Sequence, residues 1–403
     1  MSNETSPKPS TKTQTVAVHA GSRLTGSKSQ PVVPHIQMSA VSFFDNSDEL
    51  DEALDGKDYV YSRIAAPNAA LLEEAVAALE GTEACVAYSS GMAALRAVFD
   101  AQRFKPGDTL VMPADGYGVT RLLFKNLAER AGVRIEALLL SEPSAPERLR
   151  ALRPRFVLAE SITNPLLRVP DLQALSQACR EVGAPLAVDA TFPSPHGQRP
   201  CALGADYSIQ STTKWLNGHS DALGGTVSGS GEKLAPLRAA RLFNGDVLGP
   251  FEAWLTLRGV RTLPVRMKVH AENAAHVARR LADCELLSRV HYPGLPDHPD
   301  HAVARRVLQG GFGGMVAFDI QGAGRPECFR FLEAVKLARA APSLGDVGTL
   351  VMHAASASAR RMTAEERQAA GIGESLIRVS VGLEDPDDIA DDLIAAVSEA
   401  MKR

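Results

Sequence analysis

Two hydrophobic periods alternate along most of this chain. Short apolar runs bounded by Gly, Pro or Asp predict strands over 83–88, 108–114, 135–140, 155–160, 185–189 and 205–209. Between them, apolar residues at helical spacing predict helices over 69–80, 92–99 or slightly longer, 120–131 and 171–182. Strand alternating with helix predicts an α/β fold around a mostly parallel sheet, with ligand bound outside the C-terminal strand ends. Strongly helical stretches over 252–260 and 269–281 carry the chain out of this region. Beyond about residue 287 the pattern changes. Strands over 315–320 and 376–381 alternate with helices over 326–337 and 386–401, which predicts a smaller C-terminal α+β domain. The expected organisation is a disordered tail over 1–12, an extended N-terminal arm over 13–60 that packs on a neighbouring subunit, a large domain over 61–255, and a linker helix with the small domain over 256–403.

Composition narrows the class. The chain has 403 residues, 45% apolar and 22% charged, an ordinary globular balance. A net charge of −4 with scattered basic residues gives no reason to expect nucleic acid. No apolar run approaches the roughly 20 residues of a membrane span. The N-terminus lacks the apolar segment of a signal peptide. The five cysteines are odd in number and none are paired at two-residue spacing. That argues against a disulfide framework or zinc site and fits a reducing cytoplasm.

The chemistry-bearing residues cluster at predicted strand ends. In Ser208–Gly225, SIQSTTKWLNGHSDALGG, Lys214 follows an apolar run and two hydroxyls, Ser211 and Thr213. Desolvation there lowers a lysine pKa and frees a nucleophilic amine for a Schiff base; a surface lysine at a turn is the plain alternative. Gly91 and Met92 open a helix after Ser89 and Ser90, and a helix N-terminus at a Gly turn is an anion site. Tyr117, between two glycines, can lie on a planar ligand or simply occupy a loop. Asp189 ends an apolar strand and needs a partner, either a protonated ring nitrogen or a structural network. Glu160, Asp189 and Lys214 lie at successive strand ends, 29 and 25 residues apart. Tyr61 and Arg63, two apart in DYVYSR, would share one side of an extended segment. They could then grip a phosphate or form a surface pair.

These residues and the motifs YSR, SSGMAA, YG.T, ES.TNP, VD.TF.SP, S.TKW.NGHSD..GG, RG..TL..R, SLGD..TL and IR.SVGLED, in that order, resemble the Cys/Met-metabolism family of pyridoxal-phosphate enzymes. Its members include cystathionine γ-synthase, the cystathionine lyases, methionine γ-lyase and O-acetylhomoserine sulfhydrylase. The resemblance covers the chain from about Thr15 to the C-terminus. It implies a fold-type-I transferase, a mostly parallel sheet of the seven-stranded type between helices, with pyridoxal 5'-phosphate as cofactor. Lys214 would form the internal aldimine. Asp189 would keep the pyridinium nitrogen protonated, and Tyr117 would stack on the ring and assist proton transfer. Gly91, Met92, Ser211 and Thr213 would hold the phosphate. Tyr61 and Arg63 would reach that phosphate from a neighbouring subunit, implying a homodimer within a homotetramer. Arg378 would clamp the substrate carboxylate, with Ser343 and Asn164 lining the site beside it.

The implied reaction is γ-elimination or γ-replacement on an O-acylhomoserine, methionine or cystathionine. A cystathionine β-lyase is the nearest alternative, and an aminotransferase or decarboxylase on the same fold is a more distant one. The chain departs from the family pattern near the substrate mouth and subunit contact. It carries Ala66, Pro67 and Asn68 after YSR, Ala190 after Asp189, Trp215 after the lysine, Val119 and Gly348, and HAASASA from His353.

Overall fold

The computed structural model describes residues 12–22 and 31–402. The tail expected over 1–12 lies, up to residue 11, outside the described residues. The first sheet has seven strands: β1 Ala84–Tyr88, β2 Thr109–Pro113, β3 Arg134–Leu138, β4 Phe156–Glu160, β5 Leu186–Asp189, β6 Tyr207–Gln210 and β7 Gly225–Gly229. Their order is β1-β7-β6-β5-β4-β2-β3. Every pairing from β3 to β6 is parallel, while β7 runs antiparallel to both β6 and β1. β2, β4 and β5 are buried along nearly their whole length. Such strands read as unbroken apolar runs because helices cover both faces. One face packs Leu95, Phe99, Phe124 and Leu158, and the other packs Leu149, Val157, Leu175 and Val188.

The second sheet has five strands: β8 Leu287–His291, β9 Met315–Ile320, β10 Arg339–Ala340, β11 Leu350–His353 and β12 Leu376–Ser380. The order is β10-β11-β12-β9-β8, antiparallel except for β10 with β11. Its core sets Val316, Phe318 and Ile377 against Phe331, Leu393 and Val397 of the flanking helices. A further cluster of Trp215, Leu257, Leu263, Met315, Leu344 and Leu376 ties the two sheets together. This shared core holds the second sheet, with its central strand β12, beside the strand ends of the first.

Two local expectations change, and one further strand appears. The segment after residue 12 is not uniformly extended. Thr13–His19 is a helix whose Val16 and Ala17 are buried with Leu71, Leu72 and Ala75. Ser47–Glu52 is a second helix, capped by Asn46, whose side chain accepts from Glu49 N at 2.9 Å. A helix this short is marginal alone, so packing and capping hold it rather than propensity. The Gly-rich stretch after Lys214 contributes β7, where pairing on both sides outweighs poor strand propensity. The Tyr61–Arg63 segment turns. Ile64 N and Ala65 N both bond Tyr61 O, so the two side chains do not share the side of an extended strand.

Candidate active site

Parallel register brings the strand ends to one edge. Glu160 of β4 lies directly beside Asp189 of β5, and Asp189 beside Ile209 of β6. The loops leaving these strands line a cavity of about 250 Å³, whose far side is Arg378 of β12 with Pro342, Ser343 and Leu344 from the loop between β10 and β11. Ten of the twelve residues singled out in the sequence line it: Gly91, Met92, Tyr117, Asn164, Asp189, Ser211, Thr213, Lys214, Ser343 and Arg378.

At one end, the helix Gly91–Ala101 points its N-terminus into the cavity, with Ser90 Oγ accepting from Ala93 N at 3.1 Å. The first N–H groups of a helix have no intrahelical partners and carry its positive pole. A Cβ on Gly91 would sit 2.9 Å from the Ser211 Cβ, so only glycine lets the turn close on this loop. Thr213 Oγ1 accepts from Gly224 N at 3.0 Å, which fixes the hydroxyl beside Ser211.

Lys214 sits in the turn beyond β6. Its Nζ donates to Ser343 Oγ at 2.8 Å, across to the second sheet. Burial, and next the Arg378 guanidinium, lower its pKa to about 8. Gly345 packs against the Lys214 backbone at φ +83, where a Cβ would come within 2.8 Å of the Lys214 carbonyl carbon. Asp189 Oδ1 accepts from Thr191 N at 3.0 Å and Thr191 Oγ1 at 2.6 Å. Burial pushes the Asp189 carboxyl up, and the Thr191 hydrogen bonds oppose this. Glu160 is pushed well above the ordinary carboxylate range, first by burial and then by Asp189. The Tyr117 hydroxyl is raised by burial and opposed by Arg378.

Arg378 lies within β12 and is only 3% exposed. Nη1 donates to Asn164 Oδ1 at 3.1 Å and Nη2 to Ser343 O at 2.7 Å, both neutral oxygens. Its buried Nε has no partner among the described residues. Burial lowers its pKa to about 10. A buried guanidinium without a carboxylate, with a donor to spare, is built to receive an anion.

Tyr61 and Arg63 do not reach this cavity. The Arg63 guanidinium lies 5.2 Å over the Tyr61 ring and donates from Nη1 to Leu242 O at 2.8 Å. The sequence reading assigned no role to Thr191 or to Glu160, nor to the apolar wall of Phe192, Leu223 and Leu344. Thr191 carries a signal, because a hydroxyl two residues after a strand-end aspartate can bond it back. Leu223 and Leu344 carry none.

The donor set suits one group of ligands: an anion at the Gly91 helix end, a cationic ring nitrogen at Asp189, an aldehyde at Lys214 and a carboxylate at Arg378. Comparison with known proteins decides among them. Residues 14–398 match the profile of the Cys/Met metabolism PLP-dependent enzymes.

The chain belongs to this family.

Its cofactor is pyridoxal phosphate, and it is a carbon–sulfur lyase or transferase acting on an amino acid. It is 40% identical over 334 residues to the O-succinylhomoserine sulfhydrylase of Pseudomonas aeruginosa, covering 83% of this chain and 82% of that protein. It is 39% identical over 363 residues to the cystathionine gamma-synthase of Escherichia coli, covering 90% and 92% respectively. The crystal structure of cystathionine gamma synthase from Xanthomonas oryzae pv. oryzae in complex with cystathionine matches with a TM-score of 0.91. That match has 39% identity and covers 97% of this chain and 98% of the other. The mostly parallel seven-stranded sheet and the smaller C-terminal sheet agree with the expected fold class. Among the described residues, no helix is long and apolar enough to cross a membrane.

Proposed function

We propose that this enzyme catalyses γ-elimination or γ-replacement on a homoserine- or homocysteine-derived amino acid. One observation carries the reading: a lysine amine, its pKa lowered by burial to about 8, shares one cavity with the buried carboxyl of Asp189 and with the Arg378 guanidinium, which has no carboxylate partner among the described residues. Bound pyridoxal phosphate supplies an electron sink for charge left at the substrate Cα. The residues do the rest. The Gly91–Met92 turn, with Ser211 and Thr213, holds the phosphate. Lys214 is the amine that would hold the cofactor in the resting enzyme. Asp189 keeps a proton on the ring nitrogen, and Thr191 keeps Asp189 charged. Tyr117 covers the ring. Arg378 and Asn164 orient the substrate carboxylate, which sets the Cα–H bond toward Lys214. The Lys214 amine, with a larger neutral fraction at any pH below about 10 than an ordinary lysine, takes the Cα proton and then moves a proton at Cβ, so that a group on Cγ departs. Ser343 aims the amine.

Tyr61 and Arg63 serve the phosphate of a second copy of the chain. They face away from their own cavity, and the cavity's phosphate end has no side-chain cation of its own among the described residues. Apolar side chains around them, including Met38, Phe43 and Ile64, are exposed and suit a subunit contact. Mixing an Arg63→Ala chain with a Lys214→Ala chain tests this, because hybrids regain activity only if sites are shared. We place the enzyme in the cytoplasm, where five unpaired thiols are stable.

The defining assay offers cystathionine, O-acetylhomoserine, methionine and cysteine in turn, with and without an added thiol. Formation of 2-oxobutanoate, or thiol capture at Cγ, is the expected result. Pyruvate from cystathionine would make the enzyme a β-lyase instead.

A further inference from the structure

The strand-end carboxyl with no assigned role is Glu160. It is 6% exposed, lines the cavity, and has two backbone donors: Tyr117 N at 2.6 Å on Oε1 and Asn164 N at 3.1 Å on Oε2. Tyr117 leaves the loop after β2, and Asn164 the loop after β4. Asn164 then accepts from Arg378, whose other nitrogen bonds Ser343 O, and Ser343 Oγ accepts from Lys214. One carboxyl therefore stands at the head of a hydrogen-bonded chain running from the ring-covering tyrosine to the carboxylate clamp and the amine. No cation bonds it among the described residues, and it lies in register with a second carboxyl, Asp189. A buried acid in that setting destabilises the fold, so burial economy does not account for it.

We propose that Glu160 is a positioning residue for the reaction, holding Tyr117 and the Asn164–Arg378 pair at once. The inference rests on the roles given above to Tyr117 and Arg378. Its two oxygens match two backbone N–H groups, one on each loop, beside the 3.0 Å bond that Thr163 Oγ1 donates to Asp115 Oδ2, which also joins the loops. A glutamine presents one oxygen and one N–H, so it can hold one loop only.

The test uses the pyridoxal-phosphate-loaded enzyme and glycine, which has the amine and carboxylate of a substrate but no leaving group. Glu160→Ala, Glu160→Gln and Arg378→Ala are compared with wild type. The readouts are glycine dissociation constant, cofactor absorbance maximum, kcat and KM separately, and far-UV circular dichroism. Glu160→Ala is expected to keep its fold, weaken glycine at least tenfold, and shift the cofactor band as Tyr117 loses its anchor. Glu160→Gln is expected to weaken glycine three- to tenfold. A folded Glu160→Ala with glycine affinity within twofold of wild type and an unmoved band overturns the proposal. If Glu160→Ala does not fold, the Gln variant decides, and affinity within twofold overturns it. If Arg378→Ala leaves glycine binding unchanged, the carboxylate-clamp reading fails and takes this proposal with it. If Arg378→Ala weakens glycine while the Glu160 variants do not, only the positioning role fails.

Discussion

On one side of the cavity, the ends of β4 and β5 present Glu160 and Asp189; on the other, β12 presents Arg378. The first wall is made of strand ends and loops, and hydrogen-bond donors on those loops hold its carboxyls. The second is made of a strand interior, and its guanidinium rests on two neutral oxygens. Burial raises the acids and lowers the base, so each wall carries a charge its surroundings disfavour. The walls do not ion-pair with each other across the gap. Opposite charges kept apart are ready for a ligand that brings a cation to one wall and an anion to the other. Lys214, bonded to the basic wall through Ser343 but carried by the first sheet, stands where the two meet.

Removing the residue between the walls has the largest expected effect. Lys214→Ala should lower turnover by at least about 10³-fold, the scale of a lost proton-transfer group or more. Retention of both the lysine-linked cofactor absorbance and turnover would break the reading. Next comes the basic wall. Arg378→Ala strips the clamp from a buried carboxylate, which costs about 2–5 kcal/mol and should appear mainly in KM, roughly 30-fold or more. A change confined to kcat would move Arg378 from binding to chemistry.

The electrostatic cost of the site itself is measurable in apoenzyme. The folded-state pKa of Lys214 is depressed to about 8 from 10.5, so the unfolded chain holds more protons between those values. Stability then rises with pH across that window, and the full penalty applies below about pH 8. Apo Lys214→Met should therefore exceed wild type by up to about 3 kcal/mol at pH 7, with the gap closing toward pH 10, read by denaturant melts. A gap that does not change with pH would show that the amine is not desolvated. The smallest effect is on the acidic wall. Thr191→Val removes a hydroxyl that donates to Asp189 and accepts from Ser211 N, costing about 1–3 kcal/mol of stability. It should also raise the acidic limb of the kcat–pH profile, because Asp189 loses a bond that favours its charge.

The two walls also differ in how far they could be read in advance. On the first wall, each residue follows a predicted strand, and a parallel sheet sends all its strand ends to one edge. The positions of Lys214, Asp189, Gly91 and Tyr117 were legible for that reason, and the family motifs supplied the roles proposed for them. The β2 and β4 loops were harder. Glu160 was visible as a strand-end acid, but its function lies in two backbone N–H groups, which no residue code marks. Arg378 and Ser343 were recognisable only by motif, because neither periodicity nor spacing says which loop a distant strand will face. The Tyr61–Arg63 segment misled because alternation assumed extension, whereas two bonds to Tyr61 O close a turn. The helix Thr13–His19 was missed for the opposite reason. Its seven residues have no side-chain cap, and Val16 and Ala17 are ordered by a core assembled from residues far along the chain.

Local sequence therefore determined the alternating elements, the parallel sheet, the helix that opens at Gly91 and the strand-end positions of Lys214 and Asp189. Backbone hydrogen bonding and hydrophobic period act over a few residues, so they can be read there. Tertiary structure alone decided that Arg378 faces Lys214 through Ser343, that Glu160 holds two loops, and that the cavity closes between two sheets. Those depend on the shared core of Trp215, Leu257, Met315, Leu344 and Leu376, whose packing exists only once the whole chain has folded.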